Sequence, residues 1–196
     1  NFDQASAASF DFSRQSGAVY VPPYDDILVM AGQGVLGDEL MIGADRPDVV
    51  FLQIGGGGMA AGVATAIKTY APEVKVIGVE EAGQASMKAA FAAGRPVALD
   101  HVDVFCDGTA VKKAGELPFK VLRNLLDDLV TVTVSEVSSA IQEYWQVARV
   151  LSEPSGAIGL AAARKVSDQL SGLKVGIVLS GANLDFRQLA QISRRA

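Results

Sequence analysis

The residues best suited to chemistry sit in two short loops. In the first, Phe51-Leu-Gln-Ile54 runs straight into Gly55, Gly56, Gly57 and Gly58, and Met59 opens the next segment. Glycine lets a backbone turn sharply and approach a ligand with no Cβ in the way. Where such a loop opens a helix, free N–H groups and the helix dipole together suit an anion, and a phosphate is the natural guest. The competing reading is a tight turn without a ligand. The second loop, Leu179-Ser180-Gly181-Ala182-Asn183, also follows an apolar run and precedes a helix. It offers a neutral hydroxyl and an amide, although Ser180 could also serve only as a helix cap or turn residue.

Which phosphate compound the first loop would take is open from the residues alone. Gly55-x-Gly57-x-x-Ala60 satisfies a dinucleotide fingerprint, with Glu80 placed as the acid that would bind a ribose. Glycine runs match that pattern easily. A nucleoside-triphosphate loop is disfavoured, because no Lys-Ser/Thr pair follows the glycines.

These loops need elements to position them. The apolar runs Val49–Ile54, Val74–Val79, Leu129–Val134 and Lys174–Leu179 read as strands. Between and around them, helices are expected over Asp3–Gln15, Asp26–Ile42, Met59–Tyr70, Gln84–Ala93, Leu117–Asp128, Ser135–Leu151, Pro154–Leu170 and Asp185–Arg194. Ala18–Val21 reads as a short strand ended by Pro22-Pro23. Tyr24-Asp25-Asp26 is placed to cap the next helix, and residues 96–113 read as a long loop. Gly32, Gly34 and Gly37 inside one helix imply close packing or a ligand approach. Strands alternating with helices of ten or more residues make βαβ units. The expected fold class is therefore α/β, a parallel twisted sheet with helices on both faces. Strands apolar throughout agree with burial on both sides. Ligands in such sheets sit beyond the carboxyl ends of the strands, so both loops should open on one edge.

The 196 residues carry 17 basic and 22 acidic side chains, a net charge of -5 with no basic stripe. That argues against nucleic acid as a partner. One cysteine, Cys106, and one histidine, His101, exclude an internal disulfide framework and a Cys/His zinc site. No apolar run is long enough to span a bilayer, so no membrane partner is expected. A reducing, cytoplasmic setting is the expectation.

Taken in order, several motifs resemble one family: Asn1-Phe-Asp, Val21-Pro-Pro-Tyr-Asp25, Ala31-Gly-Gln-Gly34, Gly55-Gly-Gly-Gly-Met59 with Ala61-Gly62, Val76-Ile-Gly-Val-Glu80, Asp107-Gly108 with Ala110-Val-Lys112, Glu153-Pro-Ser-Gly-Ala157, and Leu179-Ser-Gly-Ala-Asn183. The chain resembles the C-terminal part of the catalytic domain of biosynthetic-type threonine dehydratases. These are pyridoxal 5'-phosphate enzymes of fold type II, related to serine racemase. The resemblance implies that residues 1–45 end the small domain and connect it onward. Residues 46–196 would then be most of the large, phosphate-binding domain, with no regulatory domain.

For the site, the resemblance implies that Gly55, Gly56, Gly57, Gly58 and the Met59 amide cradle the cofactor phosphate. Ser180, beside Gly181, would hydrogen-bond the pyridine nitrogen, and Gly108 and Glu153 would line the pocket. Glu80 matches a cation-binding acid of the serine-racemase branch, but the second acid of that site is here Ser86. The family's Schiff-base lysine lies in a Ser-Phe-Lys motif upstream of Asn1 that this sequence does not contain, so no catalytic residue is assigned here. Lys112 fits the family's Ala-Val-Lys motif, which does not carry the cofactor linkage, and Lys68, Lys75, Lys88, Lys113, Lys120, Lys165 and Lys174 read as solvated helix ends or strand rims. The implied reaction removes water and then ammonia from L-threonine to give 2-oxobutanoate, and L-serine gives pyruvate. The chain alone is expected to be inactive, with a small amino acid as substrate once a lysine-bearing segment completes it. An exposed sheet edge and apolar face imply a homo-oligomer or a complementing chain. Two other readings stay open: a non-catalytic α/β module that binds phosphate or a partner, and an NAD-binding Rossmann domain.

Overall fold

Continuous apolar β-branched runs cannot alternate between core and solvent, so they must be covered on both faces. The computed structural model, which describes residues 2–43 and 45–195, shows that arrangement. Asn1 of the Asn1-Phe-Asp motif lies outside the described residues. The elements are α1 (Phe2–Ser16), α2 (Ile27–Ile42), β1 (Val49–Gln53), α3 (Gly58–Tyr70), β2 (Lys75–Glu81), α4 (Ser86–Ala93), α5 (Glu116–Leu125), β3 (Asp128–Val132), α6 (Val134–Glu143), α7 (Pro154–Lys165), β4 (Val175–Ile177) and α8 (Phe186–Arg195). The strands form one parallel sheet in the order β3-β2-β1-β4. The register places Val49 beside Lys75 and Val175, and Gly78 beside Leu129. Val50, Leu52 and Ile54 face a core shared with α2 and α3, while Val49 and Phe51 face one shared with α6 and α7. The result is a three-layer α/β fold. Among the described residues no helix is long and apolar enough to cross a membrane.

Of the α2 glycines, Gly32 faces open space and Gly34 makes ordinary contact with the Gly62 carbonyl, but Gly37 is required by helix packing. A Cβ at Gly37 would lie 2.7 Å from the Ala66 methyl and 2.8 Å from the Val63 carbonyl, so α2 rides directly on α3. The loop before α2 divides its acids between two helices. Asp26 caps α2, its Oδ1 accepting from the Leu28 and Val29 N–H groups at 2.8 and 3.1 Å. Asp25 instead caps α5, accepting from the Glu116 and Leu117 N–H groups at 2.9 Å each.

Several expected elements differ. Ala18–Val21 is not a strand: β-branched content has no effect without a neighbour to pair with, and Val19 and Val21 stay exposed. The first helix of the pair after β3 stops at Glu143 and passes into a π-helical turn, Tyr144–Ala148. Arg149 at φ 58° then reverses the chain before Pro154. α5 ends at Leu125 because Asp127 and Asp128 belong to the entry into β3. β4 has only three residues, leaving the ladder after Ile177. Lys68 is not a solvated helix end. Its ammonium donates to the Val74 carbonyl (2.8 Å), the Pro72 carbonyl (3.2 Å) and Asp127 Oδ2 (2.7 Å), tying α3 to the starts of β2 and β3.

Burial works to raise the pKa of Asp127, but hydrogen bonds from Lys68 and the Val76 N–H outweigh it and hold the carboxyl below its usual value. A depressed carboxyl stabilises the fold above its unfolded pKa and loses that contribution as pH falls through the folded one. Asp127→Asn should therefore cost on the order of 1 kcal/mol at neutral pH. Urea unfolding of both proteins across pH should show that gap closing below about pH 4, near the free carboxyl's pKa.

Candidate cofactor site

Parallel strands bring the loops that follow them to one edge of the sheet. β1 and β4 are neighbours, so the glycine loop after β1 and the Ser180–Asn183 turn after β4 lie side by side. A cleft of about 270 Å³ opens there, lined by Gly55, Gly56, Gly57, Gly58, Met59, Gly108, Glu153 and Ser180. Gly181 sits behind this surface, its carbonyl bonded to the Glu153 N–H.

The loop's geometry is set by packing as well as by any guest. Gly57 is the N-cap of α3 at φ 96°, in the left-handed region. A Cβ there would lie 2.8 Å from both Met87 Cε and Pro118 Cβ. The Tyr24 ring lies flush against Gly56, where no side chain would fit. The Gly56 carbonyl accepts from Gly115 at 2.9 Å. α3 has no side-chain cap. Ala61 is the first residue to bond back, to the Gly57 carbonyl at 2.9 Å. The N–H groups of Gly58, Met59 and Ala60 thus have no intrahelical acceptor and carry the positive end of the dipole. None of the described residues lining the cleft is Lys or Arg, so an anion there would be held by amides and the dipole.

The third wall comes from the stretch expected to be a featureless loop. Residues 107–109 form a 3-10 turn pinned by a buried network. Gln84 Nε2 donates to the carbonyls of Asp103 (2.8 Å) and Cys106 (3.0 Å), and Thr109 Oγ1 donates to Gln84 Oε1 at 2.9 Å. This holds Gly108 against Ser155 and Glu153. Cys106 is buried beneath it, and burial, reinforced by Glu81, Asp103 and Asp107, pushes its thiol pKa far up. It is no nucleophile.

Glu80 does not fill the roles its position suggested. It is fully buried, and its two oxygens accept from the N–H groups of Met87 (2.7 Å) and Lys88 (2.9 Å), capping α4. A carboxylate so engaged cannot reach a ribose, which removes the support for a dinucleotide site. As a metal ligand it stands alone: among the described residues there is no cluster of three or more His, Cys, Asp or Glu able to hold an ion. Burial raises its pKa to about 7, against the pull of the two amides and Lys88.

Gln53 is a site residue the motifs did not single out. It lines the cleft at the end of β1, is 3% exposed, and neither polar atom of its amide has a partner. The available signal was a lone amide in an otherwise apolar strand. An unpaired buried amide is costly, so it points to a polar guest or water beside the cleft. Together the amide cradle, the Ser180 hydroxyl and this unpaired amide fit a phosphorylated heteroaromatic ring.

Comparison with known proteins gives the class. Residues 1–181 match the family described as pyridoxal-phosphate dependent enzyme, and the chain belongs to that family. Over its full length it is 43% identical to the biosynthetic L-threonine dehydratase IlvA of Haemophilus influenzae and 42% identical to that of Escherichia coli. It spans 38% of the length of each of these curated relatives. Among solved structures, the processed form of threonine deaminase isoform 2 from Solanum lycopersicum matches with a TM-score of 0.92 and 38% identity, covering 95% of this chain and 55% of that one. Maize serine racemase matches at 0.83 and 31%, over 93% and 59%. The family cofactor is pyridoxal phosphate, and the residues at the cleft fit it.

Two outcomes are expected. In the complete protein, Gly57→Val should weaken pyridoxal phosphate binding by about fivefold or more, since the strain of a positive φ is roughly 1–2 kcal/mol and the new Cβ would crowd Met87 and Pro118. Fluorescence titration of the apoprotein reads this. For Glu80, a raised folded pKa means a contribution fully present below pH 4.5 and lost as pH rises through about 7. Thermal unfolding between pH 5 and 8 should show the native protein losing stability more steeply than Glu80→Gln, by roughly 3 kcal/mol at most.

Proposed function

We propose that this chain forms most of the cofactor-binding domain of an L-threonine dehydratase. The reaction is loss of water and then ammonia from L-threonine to give 2-oxobutanoate, with L-serine giving pyruvate. The observation that carries the reading is one cleft lined both by Gly58, Met59 and Ala60 at the uncapped start of α3 and by Ser180. It is supported by a chain about two fifths identical, end to end, to biosynthetic threonine dehydratases. Bound pyridoxal phosphate supplies the electron sink for elimination.

In this reading the chain's residues bind and tune. The α3 amides hold the phosphate dianion. The Ser180 hydroxyl would meet the pyridine nitrogen without a formal charge, which would favour an unprotonated ring and a milder sink than a carboxylate would create. That suits elimination at Cβ over transamination. Gly108 leaves room for the substrate beside the ring, and Glu153 borders the same space. The lysine that anchors the cofactor and moves the Cα proton comes from a segment outside this sequence. Exposed apolar side chains on α2 (Ile27, Leu28) and in the π-helical turn (Trp145, Val147) support assembly with that segment or with further copies. A cytoplasmic setting is supported by a lone, buried, unpaired cysteine.

The purified chain should form no 2-oxobutanoate from L-threonine. Adding the lysine-bearing segment, fused or separate, should restore it. Borohydride reduction with pyridoxal phosphate followed by peptide mass analysis should place the reduced cofactor on that segment. A stoichiometric adduct on any of Lys68 to Lys174 would sink the assignment.

A further inference from the structure

We propose that Glu153 is a positioning residue that clamps the Ser180–Asn183 turn to the start of α7 and so sets the Ser180 hydroxyl; this rests on the reading of the cleft as a pyridoxal phosphate site. The need for a clamp follows from the sheet. The β1–β4 ladder ends at the Phe51–Ile177 pair, so Ser180 lies three residues past the last strand bond. It is exposed at the cleft rim.

Glu153 supplies that constraint. It is the N-cap of α7, with extended backbone (φ -68°, ψ 161°) and Pro154 following, yet its side chain caps nothing in its own helix. A helix N-cap is normally a short Ser, Thr, Asp or Asn that bonds the N–H groups of its own first turn. Here the longer carboxylate reaches across: Glu153 Oε2 accepts from the Asn183 N–H at 3.1 Å. In return the Glu153 N–H donates to the Gly181 carbonyl at 3.0 Å. The two bonds bracket the turn just after Ser180. Packing leaves no slack. A Cβ on Gly181 would run into the Glu153 carboxylate, and one on Gly156 would lie 3.1 Å from the Gly181 carbonyl oxygen. One of these bonds is charge-assisted and the other joins backbone to backbone, and two bonds in opposite senses hold a loop in one register.

The test uses the complete protein, stripped of cofactor and titrated with pyridoxal phosphate, reading the dissociation constant and the absorption band of the bound form. Ser180→Ala should weaken binding and shift the band. Glu153→Ala should weaken binding about tenfold and shift the band in the same way. The double variant should be no weaker than the worse single one, because both act through one hydroxyl. Glu153→Gln keeps an acceptor oxygen for the Asn183 N–H and should bind within about twofold of the native protein. Multiplying effects in the double variant, or a Gln variant as weak as Ala, would overturn the clamp. A Ser180→Ala variant with unchanged binding and band would instead overturn the underlying reading of Ser180, and the clamp's function with it. Should Glu153→Ala not fold, Gly181→Ala displaces the carboxylate from the other side. It should reproduce the weakened binding and shifted band, and native behaviour there would also overturn the proposal.

Discussion

β1 has no solvent face, and the rest of the molecule follows from that constraint. All five of its residues are buried, three of them at 0% exposure. A strand buried on both sides needs apolar cover above and below, so α2 and α3 must lie on one face and α6 and α7 on the other. Parallel neighbours on both edges then put the ends of β1, β2 and β4 at one rim. The chain leaving β1 has no room for side chains there, crowded by Thr109, Tyr24, Met87 and Pro118. Four glycines are what such an exit allows. The same lack of side chains leaves the amides of the α3 start facing a cleft. Core packing and anion binding thus ask for the same residues.

The site is made from backbone polarity more than from charge. No described lysine or arginine lines the cleft; of the two acids that do, Asp107 and Glu153, the Glu153 carboxylate accepts from Asn183 in the turn after β4. Fixed backbone dipoles need no rearrangement when an anion enters. The side chain that Ser180 brings to the cleft is a neutral hydroxyl rather than a carboxylate.

Most of the sheet was legible because period and composition are local properties. Val49–Gln53, Lys75–Glu81 and Asp128–Val132 fall within a residue or two of the apolar runs that announced them. The glycine loop, Gly108, Glu153 and Ser180 were legible as motifs and through the family they resemble. Their shared cleft followed from strand order. Ala18–Val21 shows the limit: its composition is that of a strand, but no neighbouring strand lies within reach. The π-helical turn at Tyr144–Ala148 and the brevity of β4 were equally silent, since both depend on where the chain must go next.

What the sequence by itself determined is the alternation of strand and helix, the anion-ready glycine loop and the class of cofactor, because each rests on neighbours a few residues apart or on a motif. Tertiary structure alone decided what each acid does. Asp25 and Asp26 are adjacent, yet they cap different helices. Glu80 looked like a ligand and is a buried cap, while Glu153 looked like a pocket wall and bonds a turn 30 residues away. Gln53, unremarked in an apolar run, is the buried amide beside the cleft with no partner. A carboxylate or an amide bonds whatever donor folding brings within 3 Å of it, and which donor that is depends on long-range packing that no local pattern encodes.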